Sequence, residues 1–240
     1  MKKIAILSDL HSNKEALEAI LINISQYEVD EIICLGDVLG LGPNPKECLD
    51  LIFEYNIKLL LGTHELYYLR GIDIEQEMCE EEKEHQRWIA SQLPENYKEK
   101  LKDNKLIYEL KHKGTKLAFL HFFFDDSNIE KNPFYDIDLL RCPEINDEIE
   151  KIDADFIFYG HEHSGKDIFI NNKKCLNVKS SGCTRSNITS YLLVEIEEDN
   201  IVNITRKNVL FDRNTFLNNI KETNYPDKDV IAEIYFGINV

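Results

Sequence analysis

The sequence predicts an α/β fold in which two mixed β-sheets pack face to face with helices outside. Three observations predict it. Strand and helix patterns alternate over the first two-thirds of the chain. The last third reads as an antiparallel meander. Acids and histidines sit at the strand ends, the rim where open α/β sheets place their ligands.

The elements follow in order. Lys3–Leu7 is a first strand ending in Ser8-Asp9-Leu10-His11. Ser12-x-x-Glu15 is a capping box, so a helix begins there and runs to about Gln26, with Ala16, Leu17, Ala19, Ile20 and Ile24 at helical spacing. Glu31–Leu35 is a buried parallel-type strand that stops at Gly36-Asp37. After a turning loop, Asn44-Pro45 supplies an N-cap and a proline at the first helical position, opening a helix over Pro45–Tyr55. Ile57–Leu61 is a third strand, ending in Gly62-Thr63-His64-Glu65.

Leu66–Asn104 is helical throughout, with an apolar stripe of Trp88, Ile89 and Leu93 stopped by Pro94. It reads as a helical insertion, at about 66–104, packed beside the site. Lys105–Leu110 and Thr115–Leu120 form a strand pair, the second ending in His121. Ser127–Arg141 is irregular and aromatic and reads as a flexible pocket wall. A short helix over Glu144–Ile152 leads to a strand, Asp155–Tyr159, that ends in Gly160-His161-Glu162-His163. Two strand pairs follow, Lys166–Ile170 with Lys173–Val178 and Ser190–Glu197 with Ile201–Val209, each around an asparagine-containing turn. Asn214–Glu222 and Asp227–Phe236 read as closing helices, the last capped by Gly237. The whole chain, 1–240, reads as a single domain.

Composition narrows the function. With 28 Lys+Arg against 44 Asp+Glu the formal charge is −16, which argues against non-specific nucleic-acid binding and against an anionic membrane surface. The six cysteines form no Cys-x-x-Cys pair, the N-terminus leads into a strand instead of a signal peptide, and no apolar run approaches a membrane span of about 20 residues. The expectation is a cytoplasmic enzyme whose cysteines are mostly buried packing groups. Cys34 lies within a buried strand, which argues against nucleophilic use. A serine hydrolase is excluded by the lack of a Gly-x-Ser-x-Gly elbow.

The chemistry sits at the strand ends: Asp9 and His11, Asp37, His64, His121, then His161 and His163. Five of the seven histidines fall there. Carboxylates and imidazoles converging on one rim suit a transition-metal site with mixed oxygen and nitrogen ligands. A carboxylate such as Asp37 can bridge two metals. His85 and His112 lie outside these motifs and read as surface residues, as do Arg141 and Arg185.

Taken together, Asp9-x-His11, Gly36-Asp37, Gly62-x-His64-Glu65, His121 and Gly160-His161-x-His163 resemble the ordered motifs of the calcineurin-like metallophosphoesterases, and the loop after Asp37 is similar to their small bacterial and archaeal branch of predicted phosphodiesterases. Ser181-Gly182-Cys183-Thr184-Arg185 resembles that family's Ser-rich turn. The resemblance implies a four-layer α/β/β/α sandwich and two transition metals (Mn, Fe or Zn). One metal would be held by Asp9, His11, Asp37 and His163, the other by Asp37, Thr63, His121 and His161. It also implies attack on phosphorus by a bridging hydroxide, with His64 protonating the leaving oxygen and Glu65 orienting His64. The substrate implied is a small phosphate ester or anhydride, nucleotide-like, with a dinucleoside polyphosphate as a specific candidate.

Two departures stand out. Thr63 replaces the usual Asn, a shorter and poorer ligand that leaves the second metal uncertain. Phe122 follows His121 where Gly is common; the run Phe122, Phe123 and Phe124 reads first as core, since such runs are more often core than ligand box, and alternatively as an apolar wall suited to a nucleoside leaving group, with Thr63 and His64 also facing substrate. Val38–Pro43 lacks the arginine that protein phosphatases carry there, so protein substrates rank low. The alternative function is a catalytically impaired metal-binding scaffold of the same fold, motivated by Thr63.

Overall fold

The computed structural model describes residues 1–72, 78–123 and 144–239. The expected pocket wall over Ser127–Arg141, together with Phe124 and Cys142, lies outside them.

Two five-stranded sheets form the centre. In the first, β1 (Lys2–Leu7) pairs in parallel with β2 (Glu31–Cys34), which pairs in parallel with β3 (Lys58–Leu59). On its other edge β1 pairs antiparallel with β9 (Ile188–Ile196), which pairs with β10 (Val202–Leu210), giving the order β10-β9-β1-β2-β3. The second sheet runs β4 (Ile107–His112), β5 (Thr115–Leu120), β6 (Phe156–Tyr159), β8 (Lys173–Asn177) and β7 (Asp167–Ile170). Its middle pairs, β5–β6 and β6–β8, are parallel, and both edge pairs are antiparallel.

The two-residue period of a strand decides which side chains meet between the sheets. Ile4 and Ile6 of β1, Ile33 of β2, Leu117 and Phe119 of β5 and Phe158 of β6 form one buried cluster. Their neighbours Ala5, Leu7 and Cys34 turn outward onto α1 (Lys14–Ile24) and α2 (Pro45–Glu54). Ala118, Leu120 and Ile157 turn outward to meet Ile149 of α6 (Glu144–Lys151). The chain thus stacks helix, sheet, sheet and helix, the layering the sequence predicts.

The stretch after β3 holds α3 (Thr63–Arg70), α4 (Glu80–Gln92) and α5 (Asn96–Leu101). Tyr68, Ile89, Leu93, Tyr97 and Leu101 enter the same buried cluster as α1 and α2, so this helical segment shares the main core. The C-terminal segment, α7 (Arg213–Glu222), α8 (Lys228–Ile231) and a π-helical turn (Ala232–Phe236), packs Phe216, Ile220 and Phe236 against Ala16 and Leu41.

Two local expectations shift. The cap of α1 is Asn13, whose side chain accepts from Ala16 N at 3.0 Å, and not Ser12. Ser12 belongs to the loop before it, at φ +56°, and Glu15 bonds the Asn219 amide (2.8 Å) instead of closing a capping box. His85 is a core residue, 3% exposed, stacked on Trp88 and bonded to the Pro226 carbonyl (3.1 Å). His112 is half-buried.

Candidate metal centre

The strand-end loops bring Asp9, His11, Asp37, His64, His121, His161 and His163 together at one rim. His121 Nε2 lies 3.1 Å from Asp37 Oδ2 and 3.8 Å from Asp9 Oδ1. His163 Nε2 lies 3.3 Å from Asp9 Oδ1 and 3.0 Å from His11 Nε2. His11 Nε2 is 3.9 Å from Asp37 Oδ2. Thr63 Oγ1 is 3.4 Å from His161 Nδ1. Ligand atoms of Asp37, His121 and His161 all fall within 4.8 Å of one another, as do those of His11, Asp37 and His64, and those of His11, His163 and Cys183.

Backbone strain marks the same residues. Asp9 (φ +54°), His11 (+45°), Asp37 (+50°), His161 (+65°) and His163 (+57°) all adopt the left-handed region, which costs of order 1–3 kcal/mol each for non-glycine residues. Such strain persists only where the surroundings over-determine it. Here the surroundings are hydrogen bonds between loops: Asp9 N to Gly36 O (3.0 Å), His11 N to Asp37 O (2.9 Å), and His161 N to the Asp9 carboxylate (3.1 Å). From the far side, Ser181 N bonds Ser8 O (2.8 Å), and Gly182 N (3.0 Å) and Ser180 Oγ (2.7 Å) both bond Asp9 O. A side chain on Gly182 would place its Cβ 1.7 Å from Leu10 O, so only glycine permits this approach.

Glu65 does something other than orient His64. Its fully buried carboxylate accepts from the backbone N–H of Asp37 (2.7 Å), Val38 (2.9 Å), Leu39 (3.0 Å) and Gly62 (3.0 Å). It therefore fixes the bend that presents Asp37. The partner of the His64 ring is Gln86 of α4, whose Nε2 lies 3.0 Å from Nδ1. Asp37 Oδ1 accepts from His64 N (2.9 Å). Gly40 makes room for the ring, since a Cβ there would sit 2.7 Å from it.

The apolar wall also differs. Phe122 is 2% exposed and packs with Leu61 and Leu66, its ring edge-on to His121 (5.5 Å) and 6.0 Å from His161. Phe123 is buried under Tyr159 on the opposite side. Phe122 backs the site histidines, and Phe123 belongs to the core under α6. Among the described residues, partly exposed aromatic rings beside these histidines include Tyr67, 5.9 Å from His64, and Tyr235 of the C-terminal turn, 6.5 Å from His163.

The donor set fits a metal. Both ring nitrogens of buried His121 lack a hydrogen bond, although Nε2 faces two carboxylates. The Nε2 atoms of His11 and His163 face each other. Without metal, protons substitute. Burial opposes charge on His121, but Asp37 and Asp9 hold it up to about 9. His163 is likewise pushed up to about 11, against burial, by the adjacent Asp9. Burial, then His163, depresses His11 to about 3, and burial, then His121, depresses His161 to about 4. Asp9 and Asp37 stay below the usual carboxylate range despite burial, because the histidines face them. Metal ligation needs the neutral rings of His121 and His163. Loading at pH 7 is therefore expected to release protons, and apparent affinity to rise with pH through about 9 as His121 loses its proton. Calorimetric titration in buffers of different ionisation enthalpy checks this; identical heats in all buffers would contradict it.

A two-sheet sandwich with an aspartate–histidine cluster on one rim is the architecture of metallophosphoesterases. The chain matches the Calcineurin-like phosphoesterase superfamily domain over residues 1–199, and it belongs to that family. It is 32% identical over 161 residues to an uncharacterised protein of Methanocaldococcus jannaschii, a match covering 67% of this chain and 62% of that protein. Two solved structures share its fold end to end. A metallophosphoesterase from Sphaerobacter thermophilus matches at TM-score 0.70 and 21% identity, covering 99% of each chain. A hypothetical protein from Pyrococcus horikoshii OT3 matches at TM-score 0.77 and 20% identity, covering 100% of each. Among the described residues no helix is long and apolar enough to cross a membrane.

Three contributors escaped the sequence reading. Gln86 carried no signal, since a helix-face glutamine is ordinary. Tyr235 lies beyond the motifs. Cys183 had one, its place in the Ser-rich turn.

Proposed function

We propose that this protein is a metal-dependent phosphoesterase that hydrolyses a small phosphate ester or anhydride in the cytoplasm, with nucleotides the preferred substrate class and a dinucleoside polyphosphate the specific candidate. The observation that carries this reading is Asp37, whose carboxylate belongs at once to a cluster with His11 and His64 and to one with His121 and His161. Asp9, His11, Asp37 and His163 would hold one metal, and Asp37, His121, His161 and Thr63 a second. Bound there, the two ions supply Lewis acidity toward phosphate oxygens and a water of lowered pKa.

The protein's own groups do the rest. His64 gives a proton to the leaving oxygen, with the Gln86 side-chain amide, 3.0 Å from Nδ1, fixing the ring. Glu65 holds the loop that aims Asp37. Tyr67 and Tyr235 offer aromatic faces beside the histidines, which suits a nucleobase better than the buried Phe122 and Phe123 do. The −16 charge keeps polyanionic nucleic acid away while admitting a small phosphate to a cationic centre.

The test is hydrolysis of a chromogenic phosphodiester and a nucleotide panel by protein loaded with Mn²⁺, Zn²⁺ or Fe²⁺, with metal counted on the same sample. Two metals per chain and turnover support the reading. About one metal and no turnover would mean the scaffold alternative. His64→Ala is expected to lower kcat by about 10²–10⁴-fold at unchanged metal content; a wild-type rate would remove His64 as the acid. Thr63→Asn is expected to tighten retention of the second metal during dialysis, because an amide oxygen reaches further than the hydroxyl; unchanged metal content would remove position 63 from the ligand set.

A further inference from the structure

We propose that Cys183 is an additional ligand of the metal held by Asp9, His11 and His163, turning that position into a mixed oxygen, nitrogen and sulfur site that favours Zn²⁺ or Fe²⁺ over Mn²⁺. The inference rests on the metal centre proposed above and goes beyond its ligand set.

Four observations carry it. The Cys183 sulfur and ring nitrogens of His11 and His163 lie within 4.8 Å of one another, a separation that one ion can span. The two imidazole Nε2 atoms are only 3.0 Å apart, with a carboxylate oxygen of Asp9 3.3 Å from that of His163. His11 is itself buried and keeps its other ring nitrogen without a hydrogen bond. Finally, the cysteine is held in place: its N–H donates to Ser180 Oγ (2.8 Å), the residue before it bonds Asp9 O, and Asn13 Nδ2 donates to Gly182 O (2.9 Å). The turn that delivers Cys183 is therefore fastened to the loop that delivers Asp9 and His11.

The other described cysteines differ. Cys34, Cys48 and Cys175 are buried among apolar neighbours, and Cys79 is exposed at the start of α4. Only Cys183 stands in a cluster of metal-ligating side chains among the described residues. A thiolate is a soft donor, and adding it to two imidazoles and the carboxylates of Asp9 and Asp37 shifts preference from Mn²⁺ toward Zn²⁺ or Fe²⁺. On binding, the thiol loses its proton to solvent and the sulfur lone pair enters the metal–sulfur bond.

The test is X-ray absorption on the wild-type protein loaded with Zn²⁺, alongside Co²⁺-loaded protein read by its sulfur-to-cobalt charge-transfer absorption. The expected result is a sulfur shell at about 2.3 Å and a near-ultraviolet cobalt band, both lost in Cys183→Ser and both kept in Cys79→Ser. Competition between Zn²⁺ and Mn²⁺ is expected to lose its preference for Zn²⁺ in Cys183→Ser. A metal-loaded wild-type protein with only nitrogen and oxygen neighbours overturns the inference and leaves the metallophosphoesterase reading intact. A wild-type protein that takes up no metal overturns both. The wild-type spectrum decides without any variant, so poor folding of Cys183→Ser does not affect the outcome.

Discussion

If Asp37 is the shared ligand proposed above, Asp37→Asn is expected to lower metal content by one ion per chain and kcat/KM by about 10³-fold or more, the scale on which a group that stabilises transition-state charge is missed. Asparagine has the same shape, so the effect isolates the charge. Asp37 Oδ2 lies 3.1 Å from His121 Nε2 and 3.9 Å from His11 Nε2, while Oδ1 receives the His64 N–H. One anion therefore serves both sides of the centre, and a neutral amide oxygen is a weak substitute for it. The variant is also expected to lower the His121 pKa in metal-free protein, because Asp37 leads the influences that raise it against burial. Metal analysis with steady-state kinetics checks the first expectation. Wild-type metal content and rate would remove Asp37 as the shared ligand.

Glu65→Ala is expected to produce a large loss of stability. Four backbone N–H groups point at this carboxylate, and truncation leaves all four without their acceptor. Each buried orphan costs about 1–3 kcal/mol. Allowing for relaxation and water entry, the net loss should be about 4 kcal/mol or more, a large share of the roughly 5–15 kcal/mol of a typical domain. Glu65→Gln, which keeps one acceptor, should lose less. Urea unfolding midpoints measure both; an Ala variant with the wild-type midpoint would show that the loop does not depend on this carboxylate. The carboxyl has a folded-state pKa pushed up to about 7, first by burial and then by Asp37, with the N–H groups opposing. The sign follows: in metal-free protein its contribution is full below the unfolded value near 4.5 and is lost as pH rises through about 7.

Much of the fold was legible because buried strands announce themselves. Ile32–Leu35 and Ile4–Leu7 are apolar runs cut off by Gly36 and by Ser8-Asp9, and the two aspartates of the cluster stand where the runs stop. The histidines were legible for the same reason. Glu65 was not, since nothing in a sequence says how many main-chain donors one carboxylate will collect. Phe122 and Phe123 read as a wall because an aromatic run looks open on paper, whereas the bend after β5 sends them into two different buried clusters. His85 carried a signal that was passed over: it stands four residues before Ile89 and three before Trp88, on the buried face of α4. Ser12 and Asn13 are both good caps. The choice between them fell to tertiary bonds, Ser12 N to Val38 O (2.8 Å) and Asn44 N to Ser12 O (3.2 Å), which draw Ser12 into the metal-ligand loop.

The turn at residues 180–183 has one more consequence, which concerns the order in which the protein is made. Asp9 is made well before its support: the Ser180 hydroxyl that fastens its carbonyl follows 171 positions later. The antiparallel neighbour of β1 is later still, at Ile188–Ile196. The surroundings of the first carboxylate in the cluster are thus complete only once the last third of the chain has been made.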